Sequence, residues 1–345
     1  MKNTILIKIL AAVLVLIGCV VAERVNAKII REVKVHGANG QVLNTYDVSD
    51  VDYFEFVENK VFDYPFAEFA SDNKNNIVFH LAEDVSFKMI KLQGGSYALQ
   101  NIGITWTQKT KTLSDYYIAE FQCTQGLWKA VKSSVPSSQS ATGDDYPVAQ
   151  VSWDDIAGSG SSTFLKLLNA KMSQIKENSD ADVVAALGNK EFRLPNEWEW
   201  EYAAAGGPAW NSLNYTYSGT TGTDADVLNT VAVNSVSPNS ASSVARVGSK
   251  LPNNLGLYDM SGNVWEWCSG LGYPEYETTA GYLNNSGTWS SSYRPYRGGG
   301  WNNTAASNFL VSYRSSNTSF NTNPRGSFRV ALSFARERAH RLTPR

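Results

Sequence analysis

Alternating hydrophobic and polar residues near the start of the chain predict short β-strands. The segments KIIREVKVHG and QVLNTYDV alternate on both sides of Asn39-Gly40, a dipeptide typical of two-residue hairpin turns. Further strands are expected at 50–57 and 76–81, where aromatic and β-branched residues are concentrated. No pattern here indicates chemistry, so we interpret residues 20–86 as a small β-rich spacer module.

From residue 87 onward the pattern predicts strands that alternate with short helices. A helix is expected at 162–176, and short strands are expected in the Ser/Thr/Asn-rich segment 208–250, which is too long for a bare connector. Side chains suited to capping backbone N–H groups mark three further helix starts, which are Thr124, Ser152 with Asp155, and Asn196 with Glu199.

The segment 251–332 has a different pattern, with glycine clusters, tryptophans and asparagines but hardly any charge. This composition fits neither an amphipathic helix nor an alternating strand. It predicts irregular backbone that glycine permits and that buried Trp265, Trp267 and Trp301 hold in place. Arg193 and Arg329, each in a Phe-Arg pair, are expected to bridge carbonyl or carboxylate groups beneath these loops.

The N-terminus carries the pattern of an export signal. Lys2 and Lys8 form a basic start. The uncharged apolar run that follows at 9–17 is too short to span a bilayer as a finished helix. Gly18 directly before Cys19 matches the bacterial lipoprotein processing box, in which the cysteine is acylated after cleavage. The alternative is an ordinary secretory signal that is cleaved near residue 22.

Charge and candidate ligand residues limit the function classes. The formal net charge of −2 indicates neither nucleic-acid nor membrane-surface binding. The three histidines are scattered without metal-ligand spacing. Apart from Cys19, only Cys123 and Cys268 are present, either as a disulfide or as buried free thiols.

Seven strings, taken together, resemble the formylglycine-generating-enzyme/sulfatase-modifying-factor family. They follow the family order and cover about 87–335. The resemblance implies an α+β variant of the C-type-lectin fold, rich in irregular structure. The strings are GGSY, YYIAEFQCTQGLWKAV, YPVAQVSWDDIA, FRLPNEWEWEYAAAGG, NNLGLYDMSGNVWEW, RGGGW and FRVAL.

The chain departs from the family enzymes at their copper site. Those enzymes oxidise a client cysteine with copper held by two cysteines, two and seven residues beyond the aromatic that follows the glycine turn. Counting from Trp301 gives Asn303 and Asn308, and asparagine cannot form the thiolate site that Cu(I) prefers. The resemblance therefore implies neither bound copper nor copper oxidase activity here.

The resemblance also implies a calcium site in the GNVWEW turn. Carried over, it gives Ser261, Gly262 and Val264 as carbonyl ligands and Glu266 as a carboxylate ligand, a donor set that suits calcium. The alternative is that Glu266 pairs with an arginine or caps backbone amides.

Segment 301–323 lies where catalytic family members place their substrate groove. It mixes adaptable polar residues with rigid aromatics, as binding loops do, around a short framework strand expected at 311–314. It also resembles the variable region of proteins diversified by retroelements. The expected ligand-binding residues are Trp301, Asn302, Asn303, Ser307, Asn308, Phe309, Ser315, Asn317, Ser319, Phe320, Asn321 and Asn323.

Together these features predict an exported, membrane-anchored lipoprotein that presents residues 302–323 to a protein or glycan. The alternatives are an enzyme of the family with a non-thiol active site and a structural part of a secretion or motility assembly. The expected organisation is a signal with a lipobox at 1–19, the spacer at 20–86, the family domain at 87–335 and a basic tail at 336–345.

Overall fold

The chain divides into two compact units, Met1–Asp63 and Tyr64–Arg345. In the computed structural model, strand backbone is described at 25–26, 32–36, 42–47, 53–54, 282–283 and 289–290, and full detail is described at 64–98, 110–238, 241–270, 293–322 and 325–334. The predicted lipobox Cys19 and the tail at 336–345 lie outside the described residues.

The first unit contains two small antiparallel pairs. Strand β1 (Val25–Asn26) pairs with β4 (Tyr53–Phe54), and β2 (Glu32–His36) pairs with β3 (Val42–Asp47). The pairing of β2 with β3 confirms the strands expected on both sides of Asn39-Gly40.

The described strands of the second unit are β5 (Phe66–Phe69), β6 (Ile77–Ala82), β7 (Val85–Leu92), β8 (Ser96–Ala98), β9 (Thr110–Thr112), β10 (Tyr116–Ala119), β11 (Lys190–Arg193), β12 (Trp265–Trp267), β13 (Tyr282–Leu283), β14 (Trp289–Ser290), β15 (Tyr293–Arg297), β16 (Ser315–Thr318), β17 (Gly326–Ser327) and β18 (Ala331–Phe334). Six of them form an antiparallel sheet in the order β11-β18-β10-β7-β6-β5, and a four-stranded sheet has the order β16-β15-β12-β17. In the smaller sheet β12 runs parallel to β17 and antiparallel to β15.

The start of this unit differs from the sequence-based boundary between residues 86 and 87. Strands β5 and β6 continue the same hydrogen-bonded sheet as β7. Alternating burial along β6 places Ile77 and Phe79 in the main core. The compact unit therefore begins at Tyr64, because a strand that completes a sheet belongs to the domain whose core it covers.

Short helices fill the connections. They are α1 (Gln125–Lys132), α2 (Trp153–Ala157), α3 (Phe164–Ala170), α4 (Met172–Glu177), α5 (Ala181–Leu187), α6 (Glu197–Ala204), α7 (Trp210–Leu213) and α8 (Ala225–Val231), with 3-10 turns at Gly207–Ala209 and Ala306–Phe309. None of the helices in the described ranges has the length and apolar character that a membrane span requires.

All three predicted helix starts are confirmed. The Thr124 side chain accepts from the Leu127 amide, and both capping boxes, at α2 and α6, are complete. The helix expected at 162–176 is divided into α3 and α4 at Lys171.

Two predictions about irregular segments were wrong. Segment 208–250 contains the 3-10 turn, α7 and α8, and no named strand lies in its described part. The framework strand expected at 311–314 lies four residues later, as β16, where its pairing with β15 sets the register. Local sequence could not fix that register, because β16 is polar throughout and has no alternating hydrophobic face.

Candidate ligand-binding face and its supporting frame

Helix α6 provides the rigid base of the site. All eight of its residues are buried, including Glu197 and Glu201, whose exposed fractions are 0%. Arg297 at the end of β15 reaches both carboxylates, with Nε 3.0 Å from Glu197 Oε2 and Nη1 2.9 Å from Glu201 Oε2. Tyr97 donates its hydroxyl to Glu201 at 2.9 Å. Buried charges are tolerated when they are paired and hydrogen-bonded in this way.

Arg314 connects this base to segment 301–323. Its Nε lies 2.7 Å from Glu197 Oε2, and its Nη2 lies 2.9 Å from Glu197 Oε1. Arg314 and Arg297 thus balance the two buried carboxylates of Glu197 and Glu201. Burial works against the charge on Arg297, but both carboxylates outweigh it and hold the pKa of Arg297 above its usual value.

A second buried ion pair supports the GNVWEW turn. Glu266 in β12 accepts from Arg329 through both oxygens, at 2.7 Å each, and both side chains are 0% exposed. The Trp200 indole donates to Glu266 Oε2 at 2.7 Å. Arg193 similarly pairs with Glu199. The predicted bridging roles of Arg193 and Arg329 are confirmed.

The glycine turn before Trp301 packs directly against Phe309 and Asn308. Gly299 has φ +80°, and a Cβ placed there would lie 2.8 Å from the Phe309 ring and 2.9 Å from the Asn308 carbonyl oxygen. Only glycine combines this backbone conformation with such a close approach. Trp265 and Trp267 are buried as predicted, whereas Trp301 is half-buried.

Phe309 was wrongly predicted to bind ligand. It is 0% exposed and packs in a small core with Tyr217, Leu228 and Val231. Phe320, in contrast, is 68% exposed, the highest value among the exposed large hydrophobic residues of the described chain. The tertiary packing of Phe309 against Gly299 and this small core separates the roles of the two phenylalanines.

The two asparagines in the positions of the copper cysteines hold local turns. The Asn303 side chain accepts from the Gly300 backbone N–H at 2.8 Å, and the backbone N–H of Asn308 donates to the Ala305 carbonyl at 3.0 Å. Neither supplies a thiolate, so the residues present do not fit copper. Cys123 and Cys268 are buried free thiols, which decides against a disulfide between them.

Several predicted ligand-binding residues retain unmet hydrogen-bonding capacity. Trp301 Nε1, Asn302 Oδ1 and Asn321 Oδ1 are shielded from solvent and have no hydrogen-bond partner among the described residues. An unmade hydrogen bond of this kind costs about 1–3 kcal/mol.

The remaining predicted residues are divided between the surface and local contacts. Ser307 is exposed, and Ser315 lies in β16 opposite Tyr296. The Asn317 side chain accepts from the Thr318 amide. Ser319 donates its hydroxyl to Asp154 at 2.8 Å, and its carbonyl accepts the Asp154 amide. Asn323 lies outside the described residues.

The residues expected to hold calcium have other partners. The oxygens of Glu266 are paired with Arg329. At Ser261 the hydroxyl, which is not the expected ligand atom, donates to the Phe309 carbonyl at 2.9 Å. The carbonyls of Gly262 and Val264 accept from the side-chain amide of Gln122. The residues present therefore do not fit a calcium ion, and the alternative in which Glu266 pairs with an arginine describes the structure.

Sequence reasoning missed the buried carboxylates of α6 and the amide of Gln122. The string EWEWEY offered a signal, because acidic residues that alternate with aromatics cannot share one solvent face of a helix. Gln122 offered no signal, because its partners are at least 137 positions away in the chain.

The paired sheets, short helices and pinned irregular loops define an α+β domain of the C-type-lectin-like type. The family model described as "Sulfatase-modifying factor enzyme 1-like domain" matches residues 39–334, and the chain belongs to this family.

Relatives in this family have different names. "Chaperone protein LppX" of Paenibacillus barcinonensis is 31% identical in an alignment of 235 residues that covers 60% of this chain and 80% of that protein. A formylglycine-generating enzyme of Streptomyces coelicolor is 34% identical in an alignment of 159 residues that covers 44% of this chain and 50% of the enzyme.

Solved structures share the fold. Treponema denticola variable protein 1 superposes with a TM-score of 0.55 at 26% identity, covering 74% of this chain and 98% of that protein. PvdO from Pseudomonas aeruginosa superposes with a TM-score of 0.52 at 20% identity, covering 74% and 98%, which supports the fold alone.

Proposed function

We propose that this chain is a ligand-binding protein that presents segment 301–323 from a rigid frame to a protein or glycan. The main support is the contrast between Arg314 and Phe320 within this segment. Arg314 is fixed by buried Glu197, whereas Phe320 in the same segment is 68% exposed. Exposed aromatic side chains among adaptable polar residues are the composition of binding loops.

The names of two relatives support a ligand-binding function in general terms. One is named a chaperone protein, which favours a protein as ligand, and a structural relative is named a variable protein. We infer that segment 301–323 is the variable part here too. Genomic sequence tests this: a near-copy of the 3′ end of the gene beside a reverse transcriptase gene is expected, and its absence would argue against retroelement diversification.

Binding can be tested before the ligand is identified. The full chain would be screened against a glycan array and a phage-displayed peptide library, and hits would be remeasured with Phe320→Ala. Leu251→Ala is the matched control, because Leu251 is 62% exposed but lies outside the segment. We expect about a tenfold or greater loss of affinity for Phe320→Ala alone. Equal affinity for both variants, or no hit in either library, would refute the proposal.

We further propose that acylated Cys19 anchors the protein to a membrane at the cell surface or outer membrane. The basic start, the short apolar run and Gly18 support this. Labelling of expressing bacteria with a clickable palmitate analogue should mark the wild type but not Cys19→Ser. Label that persists in Cys19→Ser would contradict the anchor.

The competing function is enzymatic, and similarity to formylglycine-generating enzymes favours it. It predicts oxidation of a cysteine-containing peptide when copper is added. Oxygen consumption above that of a protein-free blank would support it. Consumption equal to the blank would leave the binding role as the better account, because Asn303 and Asn308 supply no thiolate.

A further inference from the structure

One buried nitrogen lies at the centre of a cluster of oxygens in the second unit. Gln122 Nε2 is 2.9 Å from the Val264 carbonyl, 3.1 Å from that of Asp259 and 3.2 Å from that of Gly262. It is also 3.1 Å from Glu266 Oε1. Gln122 is 1% exposed, so no bulk water shares these contacts. Four oxygens that converge on one buried point form an arrangement normally associated with a bound cation.

Only the donor end of the amide fits this position. In the reversed orientation, Oε1 of Gln122 would face the same four oxygens with no hydrogen between them. In the observed orientation two N–H groups are shared among four acceptors. Gln122 Oε1 has no hydrogen-bond partner among the described residues. The amide thus forgoes one buried hydrogen bond to keep its nitrogen inside the cluster.

The charge of Glu266 is already balanced without a metal. Glu266 is paired with Arg329 through both oxygens, and Trp200 donates to it as well. Calcium binds oxygen at about 2.3–2.6 Å, so the observed spacing of 2.9–3.2 Å suits a nitrogen donor and not the ion.

We propose that the side-chain amide of Gln122 takes the place of a cation in the turn 259–266. The two N–H groups of this uncharged amide connect the chain that follows β10 to the carbonyls of Asp259, Gly262 and Val264. They also connect it to the side chain of Glu266 in β12. The frame beneath segment 301–323 is therefore stable without calcium. This conclusion is independent of what segment 301–323 binds.

The first test needs no variant. Thermal unfolding of the full chain should give the same midpoint in excess calcium and in excess EDTA, and elemental analysis after dialysis against calcium should find less than one ion per chain. A lower midpoint in EDTA together with one bound calcium per chain would overturn the proposal.

The second test converts the amide to a metal ligand. Gln122→Glu places a carboxylate among the four oxygens and should lower the midpoint in EDTA by roughly 5–10 °C. Calcium should restore it. With terbium in place of calcium, luminescence sensitised by nearby Trp200 should appear in Gln122→Glu and not in the wild type.

Gln125→Glu is the matched control. Gln125 is also buried, and its amide nitrogen also donates to backbone carbonyls, those of Ala141 and Pro147, but it lies outside the cluster. The Gln125→Glu variant should have a lower unfolding midpoint than the wild type, and calcium should not restore that midpoint. A Gln122→Glu variant with wild-type stability in EDTA, or an equal calcium response in both variants, would contradict the proposal. If Gln122→Glu does not fold, the wild-type measurement decides alone.

Discussion

Arg314 holds Glu197 through two nitrogen–oxygen contacts of 2.7 and 2.9 Å, and the arginine side chain is only 6% exposed. Glu197 begins the fully buried helix α6, and Arg314 directly precedes β16. The pair therefore joins the candidate binding segment to the least accessible part of the frame.

Arg314→Ala should destabilise the fold strongly, because it leaves Arg297 alone to balance the two buried carboxylates of Glu197 and Glu201. Breaking a buried pair costs about 3–5 kcal/mol. Urea unfolding would measure this. Arg246→Ala is the control, since Arg246 and Asp145 form an exposed pair whose loss should cost below about 1 kcal/mol. Equal costs would show that Arg314 has no structural role.

Phe309→Ala and Phe320→Ala should differ strongly in their effect on the free energy of unfolding. Truncation of the buried Phe309 should lower the free energy of unfolding by about 3–5 kcal/mol, because it leaves a cavity. Truncation of the exposed Phe320 should change it by less than about 0.5 kcal/mol. Denaturant titration of both variants gives the comparison, and a stable Phe309→Ala would disprove its placement in the core.

Gly299→Ala should be destabilising by at least about 1 kcal/mol, because it combines positive φ with close contacts to Phe309 and Asn308. Gly160→Ala is the control, because Gly160 is exposed and an added Cβ would find only an ordinary contact at 3.9 Å. Thermal unfolding should separate the two. A harmless Gly299→Ala would mean that the turn has another conformation.

Asp259 should make stability fall as pH rises. Burial raises its pKa to about 6, against the opposing Gly248 amide and Arg329, and Glu266 adds to the rise. Between about pH 4 and pH 6 the folded chain binds a proton that the unfolded chain has released, so its free energy of unfolding decreases with increasing pH. The effect approaches about 3 kcal/mol at neutral pH. Asp259→Asn should remove this decrease in the free energy of unfolding between about pH 4 and pH 6. If the wild type and the variant had identical pH profiles of stability, Asp259 would not be its source.

Cys123 and Cys268 should be unreactive in the folded protein. Burial raises the pKa of both thiols, and the thiolate is the reactive form. Iodoacetamide labelling followed by peptide mapping should find both unmodified in the native chain and both modified in urea. A disulfide-linked peptide under non-reducing conditions would contradict the free thiols.

Much of the local structure could be predicted because its causes lie within a few residues. Caps at Thr124, Ser152 and Asn196 satisfy helix N-termini with side chains one turn away. The family strings identified the fold, and the glycine and tryptophan positions identified the pinned loops. The position of β16 could not be predicted, since polar strands have no hydrophobic face to set their register.

The sequence by itself determined the family, the helix starts and the absence of thiols at positions 303 and 308. Only the tertiary structure decided that Phe309 is core while Phe320 is surface, and that Glu266 faces Arg329 and Gln122. The physical reason is sequence separation. Arg329 is 63 positions from Glu266 and Gln122 is 144 positions from it, so their contacts depend on how β10, β12 and the turn before β18 pack together.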